Sequence, residues 1–124
     1  MIFTSYFANL RNIPSSVTPI AICGGIPSWF NGLHYKKLAP KIGFFNEWKK
    51  NHNNQYYIDH FQSEVLDNLH VETVIHEILT LGNYEDVVLV CYEKSNSFCH
   101  RHLVREWINS YYPFACKEWG MEDK

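Results

Sequence analysis

Asp86-Val87-Val88-Leu89-Val90-Cys91-Tyr92 is a continuous, largely β-branched apolar run, and its reading decides the fold class of this 124-residue chain. A strand with one face in water alternates apolar and polar residues, whereas a run without alternation marks a strand covered on both faces, the habit of parallel sheets. Parallel neighbours are joined by long crossovers, usually helical, so helices are expected on either side of this run.

Upstream, Val71, Val74, Ile75, Ile78 and Leu79 recur at helical spacing, and Gly82 is placed to supply the left-handed residue that commonly ends a helix. Before them, Tyr57, Ile58, Phe61, Val65 and Leu69 form an apolar stripe along 55–69, and 40–50 carries Ile42, Phe45 and Trp48 on one side with lysines opposite. Ile2 to Phe7 and Pro19 to Cys23 read as strands, the second closed by Gly24-Gly25, with 26–39 as an active-site or packing loop. Downstream, His100, Leu103, Val104, Trp107, Ile108 and Tyr111 share a helical face, Pro113 stops the helix, and Phe114 to Trp119 alternates weakly as a last strand. Strands interspersed with helices imply a single Rossmann-like three-layer α/β domain spanning 1–124, with a mostly parallel sheet and right-handed crossovers.

Composition agrees with one folded domain: 46% hydrophobic and 16% aromatic residues exclude a disordered chain, and charges interrupt every apolar stretch that could span a membrane. The first ten residues lack a basic start and a long apolar core, so no export signal is expected. A cytoplasmic setting follows, with Cys23, Cys91, Cys99 and Cys116, none in a Cys-x-x-Cys pair, expected as reduced thiols. The net charge of -2 hides a segregation: 1–53 carries six Lys/Arg against one acid, and 54–90 carries seven acids and no Lys/Arg. Such segments either form oppositely charged surfaces or cancel by pairing on folding.

In open parallel sheets, ligands collect beyond the carboxyl ends of the strands, where loops lead into helices. Residues 91–105 form such a strand–loop–helix segment. With Asn96 or Ser97 as N-cap, Cys99, His100 and Arg101 fall in the first turn among unpaired backbone N–H groups, an anion-receptive position. Cations there cost roughly 0.3–1 kcal/mol per exposed charge, which Glu93 or a bound phosphate or carboxylate would offset. Cys99 beside His100 and Arg101 is in a setting that favours thiolate. The bland alternative is a packed Cys99 with Arg101 merely paired to Glu93.

Other chemistries fit the spacing less well. Arg101 comes too late after Cys91 for a Cys-x5-Arg phosphatase loop. Cys91, Cys99, His100 and His102 match no common zinc spacing, so no metal and no cofactor is expected. Gly24-Gly25 belongs to neither common Gly-rich phosphate-loop pattern. His34-Tyr35-Lys36-Lys37, Lys41 and Trp48 to His52 interleave cations with aromatics, a combination suited to phosphates and bases, although such a pattern more often marks an amphipathic helix with Phe45 and Trp48 in the core and lysines on its solvated face.

Val88-Leu-Val-Cys91-Tyr-Glu93 followed by Cys99-His100-Arg101 resembles the signature of the bacterial and phage domain-of-unknown-function family 488: an apolar strand ending in Cys-x-Glu, a short loop, and Cys-His-Arg opening a helix. Thr4-Ser5-Tyr6-Phe7, Pro19 to Pro27, Leu38-Ala-Pro-Lys41 and Glu118 look like features of one branch of it. The chain departs from it at Ile22-Cys23-Gly24-Gly25, where many members have Asp-Val-Arg; if that arginine helps hold a substrate in them, this chain binds something different or uses Lys41 or Arg105 instead. The resemblance implies a Rossmann-like fold and a nucleic-acid context.

The expected function is therefore that of an enzyme acting on a nucleotide or nucleic acid. Arg101, with Arg105 and Lys41, would hold the anion; Glu93 or His100 would act as acid or base; Cys99 would be nucleophile or structural thiol; Ser5, Tyr6, Cys91 and Glu118 would support them. The alternatives are a non-catalytic phosphate or nucleic-acid binding module, and a thiol-redox protein pairing Cys99 with Cys91 or Cys23. A membrane partner is not expected.

Overall fold

Five parallel strands form one sheet in the computed structural model, which describes residues 1–94 and 97–120. They are β1 (Ile2–Tyr6), β2 (Thr18–Ala21), β3 (Leu33–His34), β4 (Val87–Cys91) and β5 (Cys116–Glu118), in the order β3-β2-β4-β1-β5. The run that announced a doubly covered strand is β4, central and buried at every residue. It is flanked by β1, with Ile2 opposite Val87 and Tyr6 opposite Cys91, and by β2, with Thr18 opposite Val87.

Four α-helices connect the strands: α1 (Ile42–Asn51), α2 (Asn54–Glu64), α3 (Val71–Leu81) and α4 (His100–Tyr111). The crossovers β3 to β4 and β4 to β5 step one way across the sheet, while β1 to β2 and β2 to β3 step the other way. Right-handed connections therefore place the first two on one face and the others on the opposite face. The cores follow this division. One gathers Phe44, Phe61, Val74, Ile78, Val104 and Ile108 from all four helices over Ile20, Val87 and Leu89. The other packs Phe7, Val17 and Phe30 over Val88 and Val90. The sheet is thus covered on both sides, its third layer built from the 3-10 helix Phe7–Asn12 and loops rather than from α-helices.

Several local expectations change. Within 26–39 the two residues of β3 pair with Ile20 and Ala21, a strand too short to show alternation. The apolar stripe along 55–69 breaks at Val65, after which a 3-10 turn, Leu66–Asn68, leads toward α3. In α1 the buried residue is Phe44, while Ile42 is 73% exposed. Phe45 and Trp48 lie beside the core instead of in it. Tyr111, read as core-facing, is exposed at the far end of α4. Cys99, with extended backbone (φ -157, ψ 144), is the N-cap of α4, so the helix starts later than Ser97 would have set it; Asn96 lies outside the described residues.

Gly82 has φ -83, and the left-handed residues after α3 are Asn83 and Tyr84. The glycine is needed for space instead, because a Cβ on it would collide with Cγ1 of Val87 at the start of β4. Gly82→Ala should accordingly cost about 1–3 kcal/mol of stability through overpacking, read as a lower urea midpoint at unchanged slope. An unchanged midpoint would show that Val87 can move aside.

The charged segments partly cancel: Lys37 Nζ lies 3.1 Å from Glu77 Oε1 on α3, which also accepts the Tyr35 hydroxyl at 2.5 Å. Among the described residues no helix is long and apolar enough to cross a membrane.

Candidate functional site

At the carboxyl edge of the sheet, β4 ends in Cys91 and the chain returns through Phe98 to cap α4 with Cys99. Strand end and helix start are thereby brought side by side, and the Sγ atoms of Cys91 and Cys99 meet while their Cα atoms stand 7.6 Å apart, farther than a disulfide bridges. The pair is accordingly two thiols held within reach of one another. On the sequence, Cys91 and Cys23 are both candidates to stand beside Cys99, and the choice between them is made by the packing of α4 on β4 and not by a short turn. Cys23 and Cys116 are free and buried. Burial pushes their thiols up to about 11 and about 12, so both stay protonated and unreactive near neutral pH. Cys23 also donates to the Gly25 carbonyl at 2.8 Å. The cysteine beside Cys99 is Cys91, not Cys23.

His100 follows directly and is buried. Its Nε2 lies 2.7 Å from the carbonyl oxygen of Ile22, which can only accept, so Nε2 carries the hydrogen. Burial lowers its pKa to about 4, against the opposing effect of that hydrogen bond, and the ring is neutral near pH 7. Nδ1 is then a bare lone pair, 3.8 Å from Cys99 Sγ.

Among the described residues Arg101 is the largest fully buried side chain. Its Nε and Nη2 donate to Oε1 and Oε2 of Glu118 at 3.2 and 3.0 Å, and Nη1 donates to Cys91 Sγ at 3.0 Å and to the Glu93 carbonyl at 2.5 Å. The Tyr6 ring covers the guanidinium, with centroid 5.8 Å from Cζ. The carboxylate facing Arg101 is therefore that of Glu118, while Glu93, exposed, offers its backbone. Glu118 also accepts from Thr4 Oγ1 at 2.6 Å and has Arg105 Nη1 at 3.5 Å. Arg105 Nη1 is 2.6 Å from His102 Nδ1. Ser5 is buried, its Oγ accepting from Asn9 Nδ2 at 3.0 Å. Both arginines assigned to anion binding are thus engaged within the fold, and Lys41, at the N-cap of α1, is the exposed cation of that set. Glu118 is marked as a supporting residue only through the family resemblance; that it faces Arg101 had no local signal, since a three-residue strand leaves little pattern.

Above the sulfurs opens a pocket of about 400 Å³. Its walls are Phe45, Trp48, Tyr57 and Phe98 on one side and Cys23 with Gly24-Gly25 on the other. Buried Cys91, Cys99 and His100 form its floor, and exposed Glu93 its rim. The aromatic wall is continuous: Trp48 lies 5.2 Å from Tyr57 and 5.6 Å from Phe98, and Tyr57 lies 5.0 Å from Phe98, ring centre to ring centre. The negative charge of Glu93 is felt across this space. After burial, it is a further cause of the raised pKa of Tyr57. Among the described residues no lysine or arginine lines the pocket, so its interior suits a neutral, flat, largely apolar group better than a phosphate. The stripe Ile42, Phe45 and Trp48, read as core-facing, is this wall. Another hollow of about 470 Å³, between α2 and α4, contains no cysteine or histidine.

A family model, DUF488-N3a, described as the active DUF488-N3 subclade, matches residues 11–112. That span contains the pocket and ends before Glu118. No curated protein and no solved structure matches the chain.

Proposed function

The chain belongs to the DUF488-N3a family, and on that premise we propose that it is an enzyme acting on a nucleotide or on a base of a nucleic acid. The observation that carries this reading is the aromatic-walled pocket over the Cys91, Cys99 and His100 floor, at the carboxyl end of a parallel sheet. A base is flat and apolar on its faces, and Trp48, Phe45 and Phe98 offer rings to stack on it. Its phosphate would lie outside the pocket, near Lys41, whose neighbours Pro40 and Ile42 line the mouth. The family description as active supports an enzyme.

The chemistry of the floor is sulfur chemistry. Thiolates attack electrophilic carbon and bind soft metals, and a disulfide does neither, so turnover depends on the reduced pair. A reducing cytoplasm is the setting such a site suits. Glu93, on the rim, is the proton carrier, while Arg101, held by Glu118, positions Cys91 and the backbone of Glu93. The lysines beside the pocket-lining aromatics on α1 favour a second reading, a binding module without turnover.

The test is titration of the reduced chain with nucleosides, nucleoside monophosphates and single-stranded oligonucleotides, followed by mass spectrometry of the products. Binding should quench tryptophan fluorescence. Trp48→Ala should weaken it by about 1–3 kcal/mol, which is ~5- to 150-fold in Kd. Turnover should vanish on alkylation of Cys91 and Cys99. Absence of binding to every probe would refute the reading, and binding without product would establish the module instead.

A further inference from the structure

We propose that the reduced cluster of Cys91, Cys99 and His100 is a binding site for a soft tetrahedral cation of the Zn²⁺ type, with one coordination position open to the pocket. Spacing along the chain argued against a metal because adjacent residues seldom ligate together. The fold removes that objection. Cys99 is extended and His100 is the first helical residue, so the backbone turns between them, and Cys99 Sγ and His100 Nδ1 come within 3.8 Å of each other. With Cys91 Sγ added, all three donor atoms lie within 4.8 Å of one another. An ion with roughly 2.3 Å bonds to sulfur and 2.0–2.1 Å bonds to nitrogen needs its donors ~3.5–3.8 Å apart.

The surroundings match what a metal demands of its ligands. The Nε2 hydrogen of His100 is committed to the Ile22 carbonyl, the outer contact that fixes a ligating imidazole with its other nitrogen bare. Arg101 Nη1 donates to Cys91 Sγ at 3.0 Å, which favours thiolate, and its own charge is balanced by Glu118. The Cα atoms of the cysteines stand 7.6 Å apart, so two sulfurs sharing one ion need only separate, without either backbone crossing the pocket. Three protein donors leave the fourth position to water or substrate, the arrangement of catalytic rather than structural zinc. The pocket supplies that opening.

The balance is simple. The ion displaces both thiol protons on binding, its bonds to sulfur replacing the two S–H bonds, and a phosphine only keeps the pair reduced. The inference deepens the enzyme reading by naming what the reduced sulfurs do, and it rests on that reading only for the substrate.

The test uses the intact chain, reduced anaerobically with a phosphine and titrated with Co²⁺, then Zn²⁺, with no nucleotide present. One Co²⁺ per chain is expected, with a thiolate-to-cobalt charge-transfer band and the strong visible bands of a tetrahedral ion, both lost on adding Zn²⁺. The oxidised chain should show neither. Zn²⁺ should shield Cys91 and Cys99 from alkylation, mapped by mass spectrometry, and Cys116→Ser should leave the spectrum unchanged while Cys99→Ser abolishes it. A reduced chain without a tetrahedral spectrum, or Zn²⁺ that fails to shield Cys91 and Cys99, overturns the proposal. The shielding measurement needs no substitution, so a variant that fails to fold cannot decide the matter. Nucleotide binding by the metal-free chain separates failure of the metal site from failure of the enzyme reading.

Discussion

Glu118→Ala is expected to lower the free energy of unfolding by about 3–5 kcal/mol, because it strands the fully buried guanidinium of Arg101 without its counter-charge. The two side chains share a bidentate pair of hydrogen bonds, at 3.2 and 3.0 Å, in a place water does not reach. The same carboxylate accepts from Thr4 on β1, so its loss also leaves a buried hydroxyl without that partner. Denaturant unfolding of the single variants should show the full cost for Glu118→Ala and for Arg101→Ala. The double substitution Arg101→Met with Glu118→Leu should recover most of it, since two apolar side chains of similar volume replace the pair without leaving a charge behind. Arg101→Lys should not rescue, because an ammonium cannot span Glu118, Cys91 and the Glu93 carbonyl at once. If Glu118→Ala loses less than about 1 kcal/mol, Arg101 has another anion available, and its assignment as an internal staple fails.

Phe61→Ala should cost a similar amount, about 3–5 kcal/mol, by a different mechanism. Phe61 on α2 is fully buried, stacks on Tyr57 with centroids 6.1 Å apart, and meets the His100 ring edge-on at 5.6 Å. Truncation removes the transfer energy of the ring and leaves a cavity beneath one wall of the pocket. In a domain whose total stability is of order 5–15 kcal/mol, that loss takes a large share of the margin. Phe61→Leu, which refills much of the volume, should retain most of the stability. Equal urea midpoints for wild type and Phe61→Ala would mean that α2 collapses onto the sheet and closes the space.

Much of the architecture is legible along the chain because its causes are local. The unbroken run Val87 to Val90 has to be covered on both faces, and the periodic stripes of α2, α3 and α4 have to face something apolar. The errors sit where periodicity cannot discriminate. In α1, Ile42, Phe45 and Trp48 satisfy helical spacing as well as a core stripe would, yet Phe44 takes the core and the other three line the pocket. Gly82 sits at the end of α3 as a capping glycine should, while the crowding that requires it comes from Val87, in another element.

By itself, then, the sequence pointed to β4 as a strand covered on both faces, to a mostly parallel sheet with helices between its strands, and to the turn from β4 into α4 as the place to look for chemistry. These follow from hydrophobic periodicity and from the rule that parallel strands need crossovers. Only the tertiary structure decided the partners. It gave Arg101 to Glu118 instead of Glu93, set Cys99 beside Cys91, turned a lone pair of His100 toward the sulfurs, and set the aromatic side of α1 over them. The physical reason is one of range. Burial and periodicity act on neighbours along the chain, whereas an ion pair between α4 and β5, or a pocket between α1 and the end of β4, depends on distances that exist only once the sheet is assembled.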